Sequence, residues 1–150
     1  MTIRKARPEE RADLIELMRR ASLVWDDTRA DLLARPELID IPAAQIAEGQ
    51  VIVSVGDALD GFAAILPRND GDIEPDGLFT EPSHFRRGIG RALVDAVMEE
   101  ARAVGAKAVH VVANRNVLGF YEAVGFRTIG EIGTELGPMA SLMVKHVVAS

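Results

Sequence analysis

At Gly88 the chain changes period. Before it lie short β-rich runs broken by turns; after it, Ile89, Ala92, Leu93, Ala96, Val97 and Glu100 fall on one helical stripe that is apolar until its end. Gly105 supplies the C-terminal stop. A strand therefore ends near Thr80, a short turn follows, and Gly88 and Gly90 open a long helix. Unpaired N–H groups at such a start, with the helix dipole, make an anion site. Glycine lets a phosphate approach the backbone with no Cβ in the way. Arg86, Arg87 and Arg91 put three positive charges at that spot in a chain whose net charge is −6. The plain alternative is a helix that begins with glycines for packing and carries surface arginines.

Two familiar phosphate motifs do not fit. Gly88-Ile89-Gly90-Arg91-Ala92-Leu93 lacks the third glycine of a dinucleotide fingerprint, and no acidic residue follows at the required spacing. It also lacks the Gly-Lys-Ser/Thr ending of a nucleoside-triphosphate loop.

The rest of the chain reads as strands and helices in alternation. Thr2–Ala6 is a first strand; Pro8, Glu9 and Glu10 suit a helix start, and Leu14, Leu17, Met18 and Ala21 mark one core face. Between Ser22 and Gly49 one or two short helices are expected, broken near Pro36 and Pro42. Val51–Val55 and Phe62–Leu66 form a hairpin around the turn from Gly56 to Gly61, and Asn69-Asp70-Gly71-Asp72 is a second turn. Ile73–Thr80 is the next strand, with Pro75 marking an edge or bulge. Ala108–Ala113 is an apolar strand, Val117–Ala123 a short helix, and Phe126–Ile132 and Ser141–Val147 close the fold. The order β-α-α-β-β-β-α-β-α-β-β predicts an α/β domain with a mixed sheet flanked by helices, spanning residues 1–150.

Composition narrows the function classes. The 150 residues, 48% hydrophobic and 27% charged, can bury a core without staples, and there is no cysteine. That excludes a thiol nucleophile and thiolate metal ligands, and it fits a reducing cytoplasm. The acidic balance makes nucleic acid or an anionic membrane a poor partner. Met1-Thr2-Ile3-Arg4-Lys5 leads into a polar stretch, so neither a signal peptide nor a spanning segment is expected. His84, His110 and His146 show no metal-ligand spacing, and no metal is expected.

Glu74 through Leu93, with Asn114-Arg115-Asn116-Val117-Leu118-Gly119-Phe120-Tyr121-Glu122-Ala123-Val124-Gly125-Phe126, resembles the GCN5-related N-acetyltransferase superfamily. The two motifs are Arg-Arg-Gly-Ile-Gly and Asn-x-x-x-x-x-Phe-Tyr-x-x-x-Gly-Phe, in the family's order and spacing, and the predicted elements match along essentially the whole chain. The resemblance implies a central mixed sheet whose fourth and fifth strands splay apart to take acetyl-CoA. Leu78, Phe79 and Thr80 would offer backbone groups to the pantetheine arm. The amides of Arg86, Arg87, Gly88, Ile89, Gly90 and Arg91 would hold the pyrophosphate. Asn114 and Tyr121 match positions that line the arm and the thioester sulfur. Phe85 departs from the Gln or Arg often found there, and Pro75 from a usually apolar residue.

The implied chemistry is direct attack of a primary amine on the thioester in a ternary complex. An alkylamine is mostly protonated at neutral pH, so a base helps, and Glu74 matches the base position of some members, with Asp76 two residues on. Tyr121 would give a proton or hydrogen bond to the departing thiolate; the alternative is a core aromatic whose hydroxyl pairs with backbone. Acceptor pockets in the family draw on the first helices, where Trp25 would wall a pocket and Asp26, Asp27 or Asp31 would attract a cation. The same residues also suit one core aromatic and a helix-capping aspartate. Small-molecule and peptide amines both remain open as acceptors, and homodimers are common in the family. A non-catalytic acyl-CoA-binding sensor would share the Arg86–Gly90 loop without a productive acceptor site. A scaffold that had lost the cofactor would bind no CoA.

Overall fold

The computed structural model describes residues 1–84, 87–133 and 139–148, with their side chains except at residues 26 and 27. Seven strands, β1 (Thr2–Lys5), β2 (Val51–Val55), β3 (Leu59–Pro67), β4 (Ile73–Thr80), β5 (Ala108–Ala113), β6 (Arg127–Gly133) and β7 (Met139–His146), follow the order β1-β2-β3-β4-β5-β7-β6. The helices are α1 (Arg11–Ser22), α2 (Asp26–Ala34), α3 (Ala43–Ala47), α4 (Ile89–Ala103) and α5 (Leu118–Ala123). The architecture is α/β with a mixed sheet, as expected. The chain divides into two compact units, Met1–Ile65 with Gly77–Leu93, and Leu66–Asp76 with Val94–Ser150.

In the first unit, β1 pairs antiparallel with β2 and β2 with β3. Val51–Ser54 and Asp60–Ile65 are buried without alternation, as in strands covered on both faces. Leu14 and Leu17 of α1 are fully buried against Val51, Val53 and Phe62, each Leu contributing about 1.5–3 kcal/mol by burial. The expected helix start at Pro8 is a 3₁₀ turn, Pro8–Glu10, ahead of α1. Glu10 secures it. Its carboxylate accepts the Arg7 N–H at 2.8 Å and two bonds from the Arg4 guanidinium at 2.8 and 2.9 Å. The Arg4 hydrogen bond chiefly, with that of Arg7, pulls the Glu10 carboxyl down to about 2.

The β2–β3 hairpin departs from its expected limits. β3 begins at Leu59 rather than Phe62, because the register runs Ser54↔Gly61 and then Val55↔Leu59. Asp60 is the extra residue of a β-bulge, which absorbs turn-like chemistry inside a strand.

In the second unit, β5 pairs antiparallel with β7 from Ala108↔His146 to Ala113↔Ser141, and β7 pairs antiparallel with β6 at the edge. β4 meets β5 in parallel register at Ile73↔Val109. α4 buries a face slightly rotated from the expected stripe. Ile89, Leu93, Val94, Val97, Met98 and Ala101 are buried, whereas Ala92, Ala96 and Glu100 are only half-buried. The i, i+4, i+8 row through Ile89, Leu93 and Val97 decides the orientation because its side chains are larger than alanine. Gly105 ends the helix with φ +77°, a left-handed conformation that favours glycine.

Candidate functional site

The expected cofactor residues of the first unit surround the start of α4. Leu78, Phe79 and Thr80 form the end of β4, all half-buried. The Phe79 ring lies 5.1 Å from that of Phe62 and covers Gly77, where any Cβ would run into it. The chain then turns through Glu81 and Pro82–His84. Glu81 is tied down twice: its N–H donates to the Asp60 carbonyl at 2.8 Å, and its carboxylate accepts from the Arg20 guanidinium at 2.7 Å. Phe85 and Arg86 lie outside the described residues, so the role expected of Arg86 is not placed.

The helix start has the geometry of an anion site. The Ala92 N–H donates to the Gly88 carbonyl at 3.0 Å, which makes Gly88 the cap. The N–H groups of Ile89, Gly90 and Arg91 then belong to the first turn and have no acceptor within the helix. Gly88 has φ +81°, and among the described residues nothing stands within 4 Å of where its Cβ would be. Arg87 and Arg91 are exposed on either side. A cradle of first-turn amides with no acceptor within the helix, a positive helix end and two guanidinium groups suits a pyrophosphate.

One residue at this place escaped the sequence reading. Gly61 was expected to close the hairpin turn; it lies instead inside β3, under α4. A Cβ there would stand 2.8 Å from Ile89 Cγ2, 3.1 Å from Leu93 Cδ1 and 3.2 Å from the Phe79 carbonyl oxygen. The strand can carry the helix start so closely only because no side chain intervenes.

In the second unit the Arg68 guanidinium sits between two carboxylates. It donates from Nη1 to Glu74 at 2.7 Å and from Nε to Asp70 at 3.2 Å. Arg68, Asn69, Asp70, Glu74 and Pro67 line an open depression of about 490 Å³. Asp76 is exposed. Asp72 accepts the N–H groups of Lys107 and Ala108 at 3.0 and 3.2 Å and meets His110 Nε2 at 2.9 Å. His110 chiefly holds the Asp72 carboxyl below its usual range. Asp70, Asp72 and His110 bring ligand-type atoms within 4.8 Å of one another, but these bonds and Arg68 beside Asp70 already occupy the group.

Asn114 folds its own loop: its side-chain oxygen accepts the Asn116 N–H at 2.9 Å, and its carbonyl accepts from Val117 and Leu118 at the start of α5. Tyr121 is 8% exposed and packs edge-on against Phe120 and Phe126, with centroids 5.2 and 5.3 Å away. Burial pushes its phenol up to about 12. It is therefore a protonated donor throughout the neutral range.

Trp25 is half-buried ahead of α2, where its carbonyl accepts the Thr28 and Arg29 N–H groups at 3.3 and 3.1 Å. Asp26 opens α2, and its side chain lies outside the described ones. The first unit thus holds Trp25, Leu78, Phe79, Thr80 and Arg87 to Arg91; the second holds Glu74, Asp76, Asn114 and Tyr121. Among the described residues, no helix is long and apolar enough to cross a membrane.

Residues 12–126 match the Acetyltransferase (GNAT) family. A mycothiol acetyltransferase of Clavibacter michiganensis subsp. michiganensis is 40% identical over 62 residues, which is 41% of this chain and 18% of that relative. The chain thus matches only a small part of that curated relative. The structure of PaiA N-acetyltransferase from Thermoplasma acidophilum, in complex with coenzyme A, superposes with a TM-score of 0.81 at 18% identity, over 97% of this chain and 98% of that one. An aminoglycoside 6′-N-acetyltransferase complexed with coenzyme A gives a TM-score of 0.75 at 18% identity, over 100% and 99%. These two likenesses establish the fold.

Proposed function

The chain belongs to the acetyltransferase (GNAT) family, and on that premise we propose that residues 1–150 act as one catalytic domain that transfers an acetyl group from acetyl-CoA to a primary amine, in the cytoplasm. The observation that carries the reading is the start of α4: a glycine cap at φ +81° with no described residue crowding it, first-turn amides with no acceptor within the helix, and Arg87 and Arg91 alongside. In a chain of net charge −6, this is a local reversal of sign built for a polyanion. The amides of Gly88 to Arg91 take the pyrophosphate, and the backbone of Leu78, Phe79 and Thr80 takes the pantetheine arm in the manner of an added strand.

The amine nitrogen attacks the thioester carbonyl, the C–S bond breaks, and coenzyme A leaves as the thiolate. Glu74 is the base that accepts the amine proton, and Arg68 holds its carboxylate at 2.7 Å. Tyr121 serves the leaving group as a hydrogen-bond donor. With its phenol near 12, full proton transfer to a thiolate whose acid is near ~8.5 is uphill by roughly 5 kcal/mol, so the tyrosine stabilises the developing charge and keeps its proton. Asn114, through its amide group, lines the arm. The acceptor is a small-molecule or peptide amine, with Trp25, Asp26, Glu74 and Asp76 on its side.

Thermal unfolding with and without acetyl-CoA tests this. Ligand at 100 times its Kd stabilises the native state by ~2.7 kcal/mol, or about 5–11 °C for a domain of this size. The shift is expected in wild type and lost in Arg87→Glu/Arg91→Glu. Thiol release in the presence of a panel of amines then separates an enzyme from an acyl-CoA sensor. A folded wild type with no shift overturns the reading.

A further inference from the structure

Asp60 is used by none of this chemistry, yet it is placed at a cost. It is 7% exposed, and its Oδ1 is buried with no hydrogen-bond partner among the described residues. A buried carboxylate oxygen left in that state is destabilising unless something offsets it. The facing group is His84, whose Nδ1 lies 3.8 Å from Asp60 Oδ2. His84 closes the turn Pro82–His84, and its carbonyl accepts the Arg87 N–H at 3.4 Å, one residue before the Gly88 cap. The Asp60 carbonyl holds the other end of the same turn through the Glu81 N–H at 2.8 Å. One bulged residue therefore meets the turn at both ends, by a main-chain hydrogen bond at Glu81 and by a side-chain approach of 3.8 Å at His84. The neighbouring Gly61 lets Ile89 and Leu93 of α4 rest on the strand beside it.

Resting on the acetyl-CoA reading above, we propose that Asp60 is a positioning residue for the phosphate-binding start of α4 and acts through His84. The carboxylate anchors the imidazole, and the anchored turn presents the Arg87–Gly88 backbone in the conformation that receives phosphate.

The test is the Kd for coenzyme A, by calorimetry, in the intact chain. His84→Ala and Asp60→Asn are each expected to weaken binding about 5–20-fold. The double variant should bind no more weakly than His84→Ala, since Asp60 acts only through that imidazole. His84→Asn, which keeps a donor close to the position of Nδ1, should bind within about 2-fold of wild type. That rescue separates positioning from a general loss of structure, and it decides the question even if Asp60→Asn fails to fold. Unchanged binding by His84→Ala, or additive losses in the double variant, would overturn the proposal and leave the acetyl-CoA reading intact. A wild type that does not bind coenzyme A overturns both.

Discussion

Arg68 holds Glu74 by a 2.7 Å bond from Nη1, and the same guanidinium reaches Asp70 through Nε at 3.2 Å. The carboxylate assigned as base is thus fixed in position from the loop before its own strand. Glu74→Gln is expected to lower kcat about 100-fold or more, the usual contribution of a positioned base, with the Kd for coenzyme A unchanged. Arg68→Met should give a smaller loss in kcat, because it frees the carboxylate without removing it. Steady-state kinetics with one accepted amine, together with calorimetry, checks both.

Tyr121→Phe keeps the packing against Phe120 and Phe126 and removes only the donor. Its stability should stay within about 1 kcal/mol of wild type while kcat falls about 10–100-fold. Because burial lifts the phenol to about 12, wild-type activity should show no decline from tyrosine ionisation up to about pH 10. A pH–rate profile with a tyrosine limb near neutrality would contradict the assignment.

The Arg4–Glu10 pair predicts a component of acid sensitivity. The folded carboxyl lies at about 2, below its ordinary 4.5, so the native state binds the proton less readily than the unfolded chain. The stabilisation is fully present above pH 4.5 and is lost as pH falls from there toward 2. Glu10→Gln should cost about 1–2 kcal/mol at pH 7, discounted for the partly exposed arginine, and less as pH falls toward 2, vanishing only below it. Denaturant titrations at several pH values measure the difference.

Gly61→Ala should be tolerated poorly for a reason unrelated to φ. The new methyl meets Ile89 at 2.8 Å and the Phe79 carbonyl at 3.2 Å, so the helix or the strand must shift, at about 1–3 kcal/mol. Since the displaced element is the start of α4, weakened coenzyme A binding should accompany the lost stability. A variant that loses stability but binds as well as wild type would show that the cradle tolerates the shift.

The sequence by itself determined what is local. The change of period at Gly88, the glycine stop at Gly105 and the β-rich runs placed nearly every element, because helix caps, turns and side-chain periodicity act within a few residues. The glycines, helix start and arginines of the proposed phosphate cradle were legible for the same reason: they are neighbours in the chain. Tertiary structure alone decided what depends on residues far apart in sequence. Asp60 and Gly61 looked like turn residues, and only the pairing with β2 made one a bulge and set the other beneath Ile89 and Leu93. The buried face of α4 rotated toward its larger side chains because packing rewards volume, which a period does not weigh. Tyr121 became a weaker acid than a solvated phenol through burial, a property of its surroundings that no spacing encodes.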